Sequence, residues 1–305
     1  MFDSLSNKIK YPIGYVYRNI LYPRILTRKY KKVLDKNLEL KSKHKNNRCF
    51  ILGSGPSIND VDLDTFRDEY VFVVNEFDRH PKFKNLLRVN HVIPDTRYFT
   101  EDKTSYFWER LKKKSDNAHE NTRFFFHIQG KDIVEREKLF GKNKVYYLST
   151  QGIISDHFDF NIDLDKTLPW PKNSILSCLM IAVYMGFKEI YLLGCEHNFL
   201  AHNIGLGQGK PKTFDHFYKN AELENLERAD SKEAEEKLKK YGWDRDFEFT
   251  YEHNIAHILQ LFKNYRLFYQ KVQKLHPEIK IFNATPNSFL DVFPFVSLKD
   301  DLRIT

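Results

Sequence analysis

The sequence predicts an α/β fold with a mostly parallel sheet flanked by helices, of the Rossmann-like kind. From residue 48 onward, short apolar stretches typical of buried strands alternate with helix-forming segments. The first apolar stretch, residues 49–52, leads directly into a glycine-containing turn at 53–57. In such folds, a strand that ends in glycines brings the backbone close to a ligand. This stretch is therefore the starting point for the functional prediction.

The charge of the chain is concentrated at its N-terminus. The net charge is +8, from 49 Lys and Arg against 41 Asp and Glu. Residues 1–47 hold 12 of these basic residues and 3 of the acidic ones, which leaves 37 against 38 in residues 48–305. Nucleic acid is thus not an expected partner, because the part predicted to fold has no excess of positive charge to neutralise phosphates.

Composition indicates a globular protein with a reduced core. Hydrophobic residues make up 41% of the 305 residues, which suffices for a sizeable core. No apolar run reaches the roughly 18 residues of a membrane span, and no signal-peptide pattern opens the chain. Cys49, Cys178 and Cys195 all lie in apolar segments, so we expect free, buried thiols and a cytoplasmic protein.

The turn after the first strand is a candidate phosphate site. Gly53 and Gly55 allow a close backbone approach, Pro56 suits the first turn of a helix, and Ser57 adds a hydroxyl. Free amides at a helix start favour an anion. The dinucleotide fingerprint is incomplete, since Ile58 occupies the place of its third glycine. A turn without a ligand is the alternative.

Two further strands end in polar residues that suit nucleotide binding. The strand predicted at 70–75 ends in Asn75, whose amide can read a ribose hydroxyl or a base edge. The strand at 87–93 is followed by Pro94 and Asp95, and a fourth is predicted at 123–128. Because parallel strands end at one edge of the sheet, we expect these residues to lie near each other.

A second strong pattern covers residues 173–199. Asn173 or Ser174 can cap an apolar helix that runs to residue 185 and ends at Gly186. A buried strand at 189–194 follows, and Glu196 and Asn198 come directly after it. The helix start and the strand exit are expected to face the same cleft as the glycine turn.

The remaining segments predict a lid, a last helix and a last strand. Residues 201–250 combine glycines with a highly charged stretch, which suits a mobile lid or a passive surface insertion. The sequence predicts a loop at residues 151–172, a helix at 253–275 and a strand at 279–284. His253, at a helix start, is a candidate base because the helix dipole lowers its pKa.

The arm formed by residues 1–47 predicts a membrane contact. Tyrosines and aliphatic residues alternate with arginines and lysines, a mixture that suits an anionic membrane surface. A solvated basic helix or an oligomer contact is an equally good interpretation. The domain division is therefore an arm at 1–47 and a catalytic domain at 48–305.

Four sequence blocks taken in order resemble a family of transferases. They are LGSGPSI at 52–58, VNEF at 74–77, the segment 173–194, and YEHN at 251–254 with ATPNSFL at 284–290. The ordered set resembles the bacterial CMP-sialic-acid-dependent sialyltransferases of the single-domain, metal-independent kind, and the related motility-accessory and MptE-like glycosyltransferase group. The resemblance covers roughly residues 48–295 and implies a GT-A-like variant of the α/β fold.

The resemblance also implies roles for individual residues. It assigns the nucleotide to Gly53, Ser54, Gly55, Ser57, Asn75, Asp95 and Ser174. It makes His253 the general base, places Glu196 and Asn198 as further catalytic candidates, and implies no metal and no cofactor beyond the CMP-sugar donor. An inverting transfer of a sugar to a glycan acceptor at the inner face of the cell membrane is the expected function.

Two departures leave the donor sugar open. Pro171, with Lys172 beside it, stands where the sialyltransferases have an arginine for the sugar carboxylate. Glu196, His197 and Asn198 stand where that family has aspartate and tyrosine. One alternative is a pterin-diphosphokinase-like phosphotransferase, which would need a magnesium site, with Asp163 and Asp165 or Glu196 as the candidate ligands. The other alternative is an inactive membrane-associated scaffold.

Overall fold

The computed structural model describes residues 13–157, 159–200 and 251–300. The predicted lid at 201–250 lies outside the described residues, as do residues 1–12 and the side chain of His253. In the described part of the chain, no helix is long and apolar enough to cross a membrane.

Seven parallel strands form the central sheet, in the order β5-β4-β3-β2-β1-β8-β9. The strands are β1 (Arg48–Leu52), β2 (Tyr70–Val74), β3 (Arg88–Ile93), β4 (Arg123–His127), β5 (Lys144–Leu148), β8 (Glu189–Leu193) and β9 (Lys280–Asn283). The strand order reverses direction between β1 and β8, which is the Rossmann-like arrangement. The predicted fold class is confirmed.

A second, two-stranded parallel sheet joins β6 (Thr150–Ile153) and β7 (Leu168–Trp170). The prediction of a loop over 151–172 was therefore wrong at both ends. The strands are only four and three residues long and carry no clear alternation of apolar and polar residues, so their sequence gives little sign of a sheet.

Helices cover the sheet and its ends. They are α1 (Tyr22–Lys29), α2 (Lys31–Leu34), α3 (Tyr106–Asn117), α4 (Lys131–Arg136), α5 (Ser174–Met185) and α6 (Tyr251–Leu275). A π-helical turn, Tyr17–Leu21, precedes α1. The glycine turn leads into two short 3-10 helices, Pro56–Asp60 and Leu63–Phe66, which are separate elements because Val61 between them is extended.

The core lies on both faces of the sheet, as the apolar strands predict. Along β1, Cys49 and Ile51 face the cluster that contains α5, while Phe50 and Leu52 face the opposite cluster. Helix α5 is buried all round, with Asn173 as its N-cap and Gly186 as its left-handed C-cap, as predicted. The three cysteines are free and buried.

The described part of the basic arm packs on the domain. Leu34 and Leu40 are fully buried. The Asn37 amide donates to the carbonyls of Tyr147 (2.9 Å) and Leu164 (2.7 Å). The boundary predicted at residue 47 is thus a boundary of charge composition, and residues 13–47 share the core of the domain that follows.

Candidate functional site

The carboxyl edge of the sheet carries a cavity of about 390 Å³. It lies beyond the ends of β2 to β5 and at the N-terminus of α5, where parallel sheets bind ligands. Polar and apolar side chains both line it. The lining residues are Asn75, Pro94, Asp95, Thr96, Arg97, His127, Leu148, Thr150, Leu168, Trp170, Pro171, Lys172, Asn173, Ser174, Ser177 and Met180.

Asn75 and Ser174 form the polar centre of this cavity. The Asn75 side-chain Nδ2 donates to Ser174 Oγ at 3.1 Å. Ser174 Oγ accepts that bond, so its own hydrogen remains available to a ligand. The Asn75 Oδ1 is buried without a hydrogen-bond partner in the structure. Since buried acceptors are almost always satisfied, this oxygen is suited to accept a hydrogen bond from a bound molecule.

The backbone of Asn75 is held in an unusual conformation. Its φ is +43°, in the left-handed region that Asn tolerates better than most residues. His91 Nε2 donates to the Asn75 carbonyl at 2.8 Å, and the Asn75 amide donates to the Val92 carbonyl at 3.2 Å. Burial lowers the pKa of His91 to about 4, which keeps this ring neutral. These two backbone hydrogen bonds fix the main chain of Asn75, and with it the position from which its side-chain amide extends.

A buried ionic network follows Asn75 directly. The Glu76 carboxylate accepts from Tyr98 Oη (2.6 Å) and Arg110 Nε (2.5 Å) and lies 3.0 Å from Lys114 Nζ. Asp78 pairs with the same two cations. In dinucleotide-binding folds the acid at this strand tip holds a ribose. Here Glu76 is fully engaged by the protein, whereas Asn75 Oδ1 at the same strand end has no hydrogen-bond partner.

The N-terminus of α5 is fixed by a chain of hydrogen bonds. Asn173 Oδ1 accepts from the Leu176 amide (2.9 Å), and Asn173 Nδ2 donates to Tyr265 Oη (2.7 Å). Tyr265 in turn donates to His197 Nε2 at 2.9 Å, and His197 Nδ1 donates to the Cys195 carbonyl at 3.1 Å. This chain connects α5, α6 and the exit of β8. It leaves the first turn of α5 open to the cavity.

Charged and titratable side chains give the cavity its electrostatic character. Asp95 is bound in a fork by Arg97, with Oδ2 and Nη2 2.6 Å apart. Burial lowers the pKa of Lys172, whose Nζ lies 5.7 Å from the Trp170 ring centre. Burial also lowers the pKa of His127 to about 4, so His127 is a neutral hydrogen-bonding group at pH 7.

The glycine turn is closed by the exit of β8. The Ser57 amide donates to Glu196 Oε1 at 2.7 Å, and the Gly53 and Gly55 amides donate to the carbonyls of Leu193 (2.7 Å) and Gly194 (2.9 Å). A Cβ on Gly55 would lie 1.5 Å from Glu196 Oε2. The absence of side chains at Gly53 and Gly55 thus leaves room for Gly194 and for the Glu196 carboxylate, which follow β8. An internal carboxylate occupies the anion position that the sequence predicted for a phosphate.

The structure brings three of the predicted site residues together in the cavity. Asn75, Asp95 and Ser174 line it. Gly53, Ser54, Gly55, Ser57, Glu196 and Asn198 are not among its lining residues. His253 belongs to the first turn of α6, and its side chain lies outside the described part of the chain.

Comparisons with known proteins give no family. No protein-family model matches the sequence, and no curated protein matches it. Among solved structures, a MAf glycosyltransferase from Magnetospirillum magneticum AMB-1 is similar with a TM-score of 0.45 and 13% identity. The match covers 89% of this chain and 38% of that one. A similarity of this size assigns no activity to the chain.

Sequence reasoning missed half of the cavity wall. His127 and Thr150 lie where β4 ends and β6 begins, and the rule that ligands bind at the carboxyl edge points to His127. Leu168 was missed because residues 151–172 were predicted to be a loop, and Thr150, just before that range, was assigned to no element. Arg97 lies two residues after Asp95, and no sequence pattern indicated that it would line the cavity. Among the described residues, no group of three His, Cys, Asp or Glu side chains is arranged to hold a metal ion.

Proposed function

We propose that the protein is an inverting glycosyltransferase that moves a sugar from a nucleotide donor, in the first instance a CMP-linked one, to a glycan acceptor. The observation that carries the proposal is the unpartnered Asn75 Oδ1 beside Ser174 in a cavity of about 390 Å³. Cavities of roughly 300–1,000 Å³ with a few convergent polar groups are typical of small-molecule sites.

The polar centre of the cavity suits a nucleotide. Asn75 Oδ1 accepts from a ribose hydroxyl or an exocyclic amine of the base, and Ser174 Oγ donates to an oxygen of the donor. The first turn of α5 adds backbone amides and a positive dipole end, which favour a phosphate. A phosphate that leaves during transfer is stabilised by the same groups.

The cavity mouth suits a sugar. Trp170 is 52% exposed and lines the cavity, so its ring offers a stacking surface for a sugar face. Lys172 also lines the cavity, and it supplies a cation one residue after Pro171, which stands where the sialyltransferases that the sequence resembles have an arginine. An acidic sugar such as sialic acid or another nonulosonic acid fits this cation, and so does a donor phosphate.

The chemical step requires a base and a leaving group. The acceptor hydroxyl oxygen forms a bond to the anomeric carbon, the bond from that carbon to the phosphate oxygen breaks, and the nucleotide leaves with the electron pair. The hydroxyl proton passes to the base, which we assign to His253 on its helix-start position and on the resemblance. Glu196 and Asn198 follow β8 in the chain, and we assign Glu196 the role of holding the glycine turn through its hydrogen bond from the Ser57 amide.

A thermal-shift panel of CMP, CDP, UDP, GDP and ATP, each with and without magnesium, tests the proposal. A bound ligand raises the melting temperature of the protein, and the increase grows with the logarithm of the ligand concentration divided by its dissociation constant. We expect stabilisation by a cytidine nucleotide without metal, and its loss in Asn75→Gly, which removes the side-chain acceptor and tolerates the left-handed backbone. Asn117→Gly, at the exposed end of α3, is the matched control.

The other outcomes identify the competing functions. Stabilisation by UDP or GDP keeps the transferase and changes the donor. Stabilisation only by ATP with magnesium supports the phosphotransferase. No response to any nucleotide contradicts the proposal and favours a scaffold without a donor site.

A further inference from the structure

The helical segment at residues 13–29 presents an apolar face to the outside of the molecule. Its aliphatic and aromatic residues on that face are between 38% and 64% exposed. They recur at helical spacing: Ile13, Val16, Tyr17, Leu21 and Ile25. Monomeric proteins seldom expose a continuous apolar stripe of this kind without a partner.

The opposite face of the same segment is fixed to the domain by polar contacts. The Ile153 amide donates to Asn19 Oδ1 at 2.9 Å, and the Thr167 amide donates to Thr27 Oγ1 at 2.8 Å. Tyr15 Oη donates to Ser155 Oγ at 3.1 Å. A Cβ on Gly152 would lie 3.3 Å from the Asn19 Cα, so the helix passes close over β6.

The exposed apolar stripe departs from what a helix on a globular core shows, even though Ile20 and Leu26 of the same segment are half-buried. Such a helix turns its apolar stripe inward and its polar residues to water. Here Asn19 and Thr27 point inward, and Leu21 and Ile25 point outward. Because burial of an apolar side chain is worth about 1.5–3 kcal/mol, this arrangement indicates that another apolar phase covers the outer face.

The charges on the outer face identify the chemistry of that phase. Arg18, Arg24 and Arg28 are exposed beside the apolar stripe, and residues 13–34 contain no Asp or Glu. Among the described carboxylates, none forms an ion pair with these three arginines. Aliphatic side chains flanked by unpaired cations suit a surface that is apolar inside and anionic outside, which is the interface of an acidic lipid bilayer.

The segment lies next to the cavity through the β6–β7 sheet. It contacts β6 at Gly152 and Ile153, while Thr150 of β6 and Trp170 of β7 line the cavity. Any partner that binds the outer face of residues 13–29 is therefore also brought close to the wall of the cavity. Residues 13–47 are therefore a docked element of the fold and not a free tether.

We propose that the outer face of residues 13–29 docks on an anionic lipid bilayer, with Leu21 and Ile25 in the acyl boundary and Arg24 and Arg28 on lipid phosphates. This surface goes beyond the proposed transfer and is independent of it, since it requires neither donor nor acceptor.

Sedimentation of the full-length chain with vesicles tests the proposal. Vesicles of phosphatidylcholine alone and with phosphatidylglycerol are compared at low and high salt. We expect binding only with phosphatidylglycerol, weakened by salt. Removal of each cation near the surface lowers binding about fivefold, so Arg24→Gln with Arg28→Gln lowers it roughly 30-fold. Leu21→Gln with Ile25→Gln abolishes it.

Matched controls separate docking from a general loss of charge or fold. Lys112→Gln with Lys113→Gln removes two exposed cations from α3, and Leu275→Gln changes an aliphatic residue that is 51% exposed at the end of α6. Both controls should bind as wild type, and all variants should keep the wild-type melting temperature. Wild type that fails to sediment with acidic vesicles overturns the proposal. Concentration-dependent dimers that Leu21→Gln with Ile25→Gln dissociates also overturn it in favour of a self-association face.

Discussion

Asn75 donates a hydrogen bond to Ser174 at 3.1 Å, across 99 positions of sequence. The bond connects the end of β2 to the first turn of α5. It orients the Asn75 side-chain amide so that Nδ2 is bound by the protein, while Oδ1 has no hydrogen-bond partner. This relationship defines the centre of the candidate site.

Because the backbone of Asn75 is left-handed, two substitutions at this position can separate the effect on folding stability from the effect on nucleotide binding. Asn75→Gly removes the amide and suits φ of +43°, whereas Asn75→Ala removes the same amide and adds a left-handed cost of about 1–2 kcal/mol. We expect Ala to unfold at lower urea than Gly, and both to lose nucleotide binding equally. Urea denaturation and the nucleotide thermal shift measure the two effects. Equal stability of the two variants would contradict the backbone argument.

The carboxylate of Glu196 and the missing Cβ of Gly55 should be energetically coupled. In Gly55→Ala the new Cβ displaces Glu196 from the Ser57 amide, which costs about 1.5–3 kcal/mol for a charge-assisted hydrogen bond. Glu196→Ala loses the same bond, so the double variant should be hardly less stable than Glu196→Ala alone.

Gly53→Ala is the control for this cycle. Its Cβ would lie 2.2 Å from the Gly194 carbonyl oxygen, a backbone atom that Glu196→Ala does not remove. Its cost should therefore add fully to that of Glu196→Ala. Urea denaturation of the single and double variants gives both coupling energies. Additive costs for Gly55→Ala and Glu196→Ala would exclude the contact.

The buried Glu76 network predicts a large loss of stability. Glu76→Gln leaves Arg110 and Lys114 with Asp78 as their remaining carboxylate in a buried site. Breaking a buried pair by removing one partner costs about 3–5 kcal/mol. Glu101→Gln, which breaks an exposed pair with Arg136, should cost less than about 1 kcal/mol. Chemical denaturation of both variants compares them, and equal losses would show that the network contributes no special stability.

Three of the four histidines that are buried in the described part of the chain predict a loss of stability in acid. Burial lowers the pKa of His44, His91 and His197 to about 4. In the unfolded chain a histidine has a pKa of about 6.5. The unfolded state therefore binds protons first, and the free energy of unfolding falls as the pH drops from 6.5 towards 4. Each histidine contributes up to about 1.4 kcal/mol per pH unit.

His44→Phe isolates one of these contributions. The His44 ring stacks on Phe187 with centroids 4.6 Å apart, and its Nε2 is buried without a partner, so Phe keeps the packing. We expect the variant to be at least as stable as wild type at pH 7.5 and to lose less stability at pH 5. Urea denaturation at several pH values measures the slope. A slope identical to that of wild type would show that His44 is protonated in the folded protein.

Much of the fold was predictable because its signals are local. The strands at the sheet centre are short apolar runs, and α5 begins at Asn173 and ends at Gly186 as its capping residues indicate. The β6–β7 sheet was not predictable, since the Leu168–Trp170 strand has three residues and is defined by its partner. The docking of residues 13–47 was missed for the same reason, because Asn37 bonds to main-chain carbonyls that no sequence pattern identifies.

The sequence by itself determined the α/β class, the positions along the chain of most strands of the central sheet, and the polar residues at their ends. These follow from apolar periodicity, helix caps and the rule that parallel strands end at one edge. Only the tertiary structure decided which of those residues form the cavity. Glu196 binds the Ser57 amide at 2.7 Å and fills the glycine turn, whereas Asn75 keeps an unpaired oxygen beside Ser174. An amide or a carboxylate is available to a ligand only if no other part of the chain satisfies it, and that depends on contacts between distant residues.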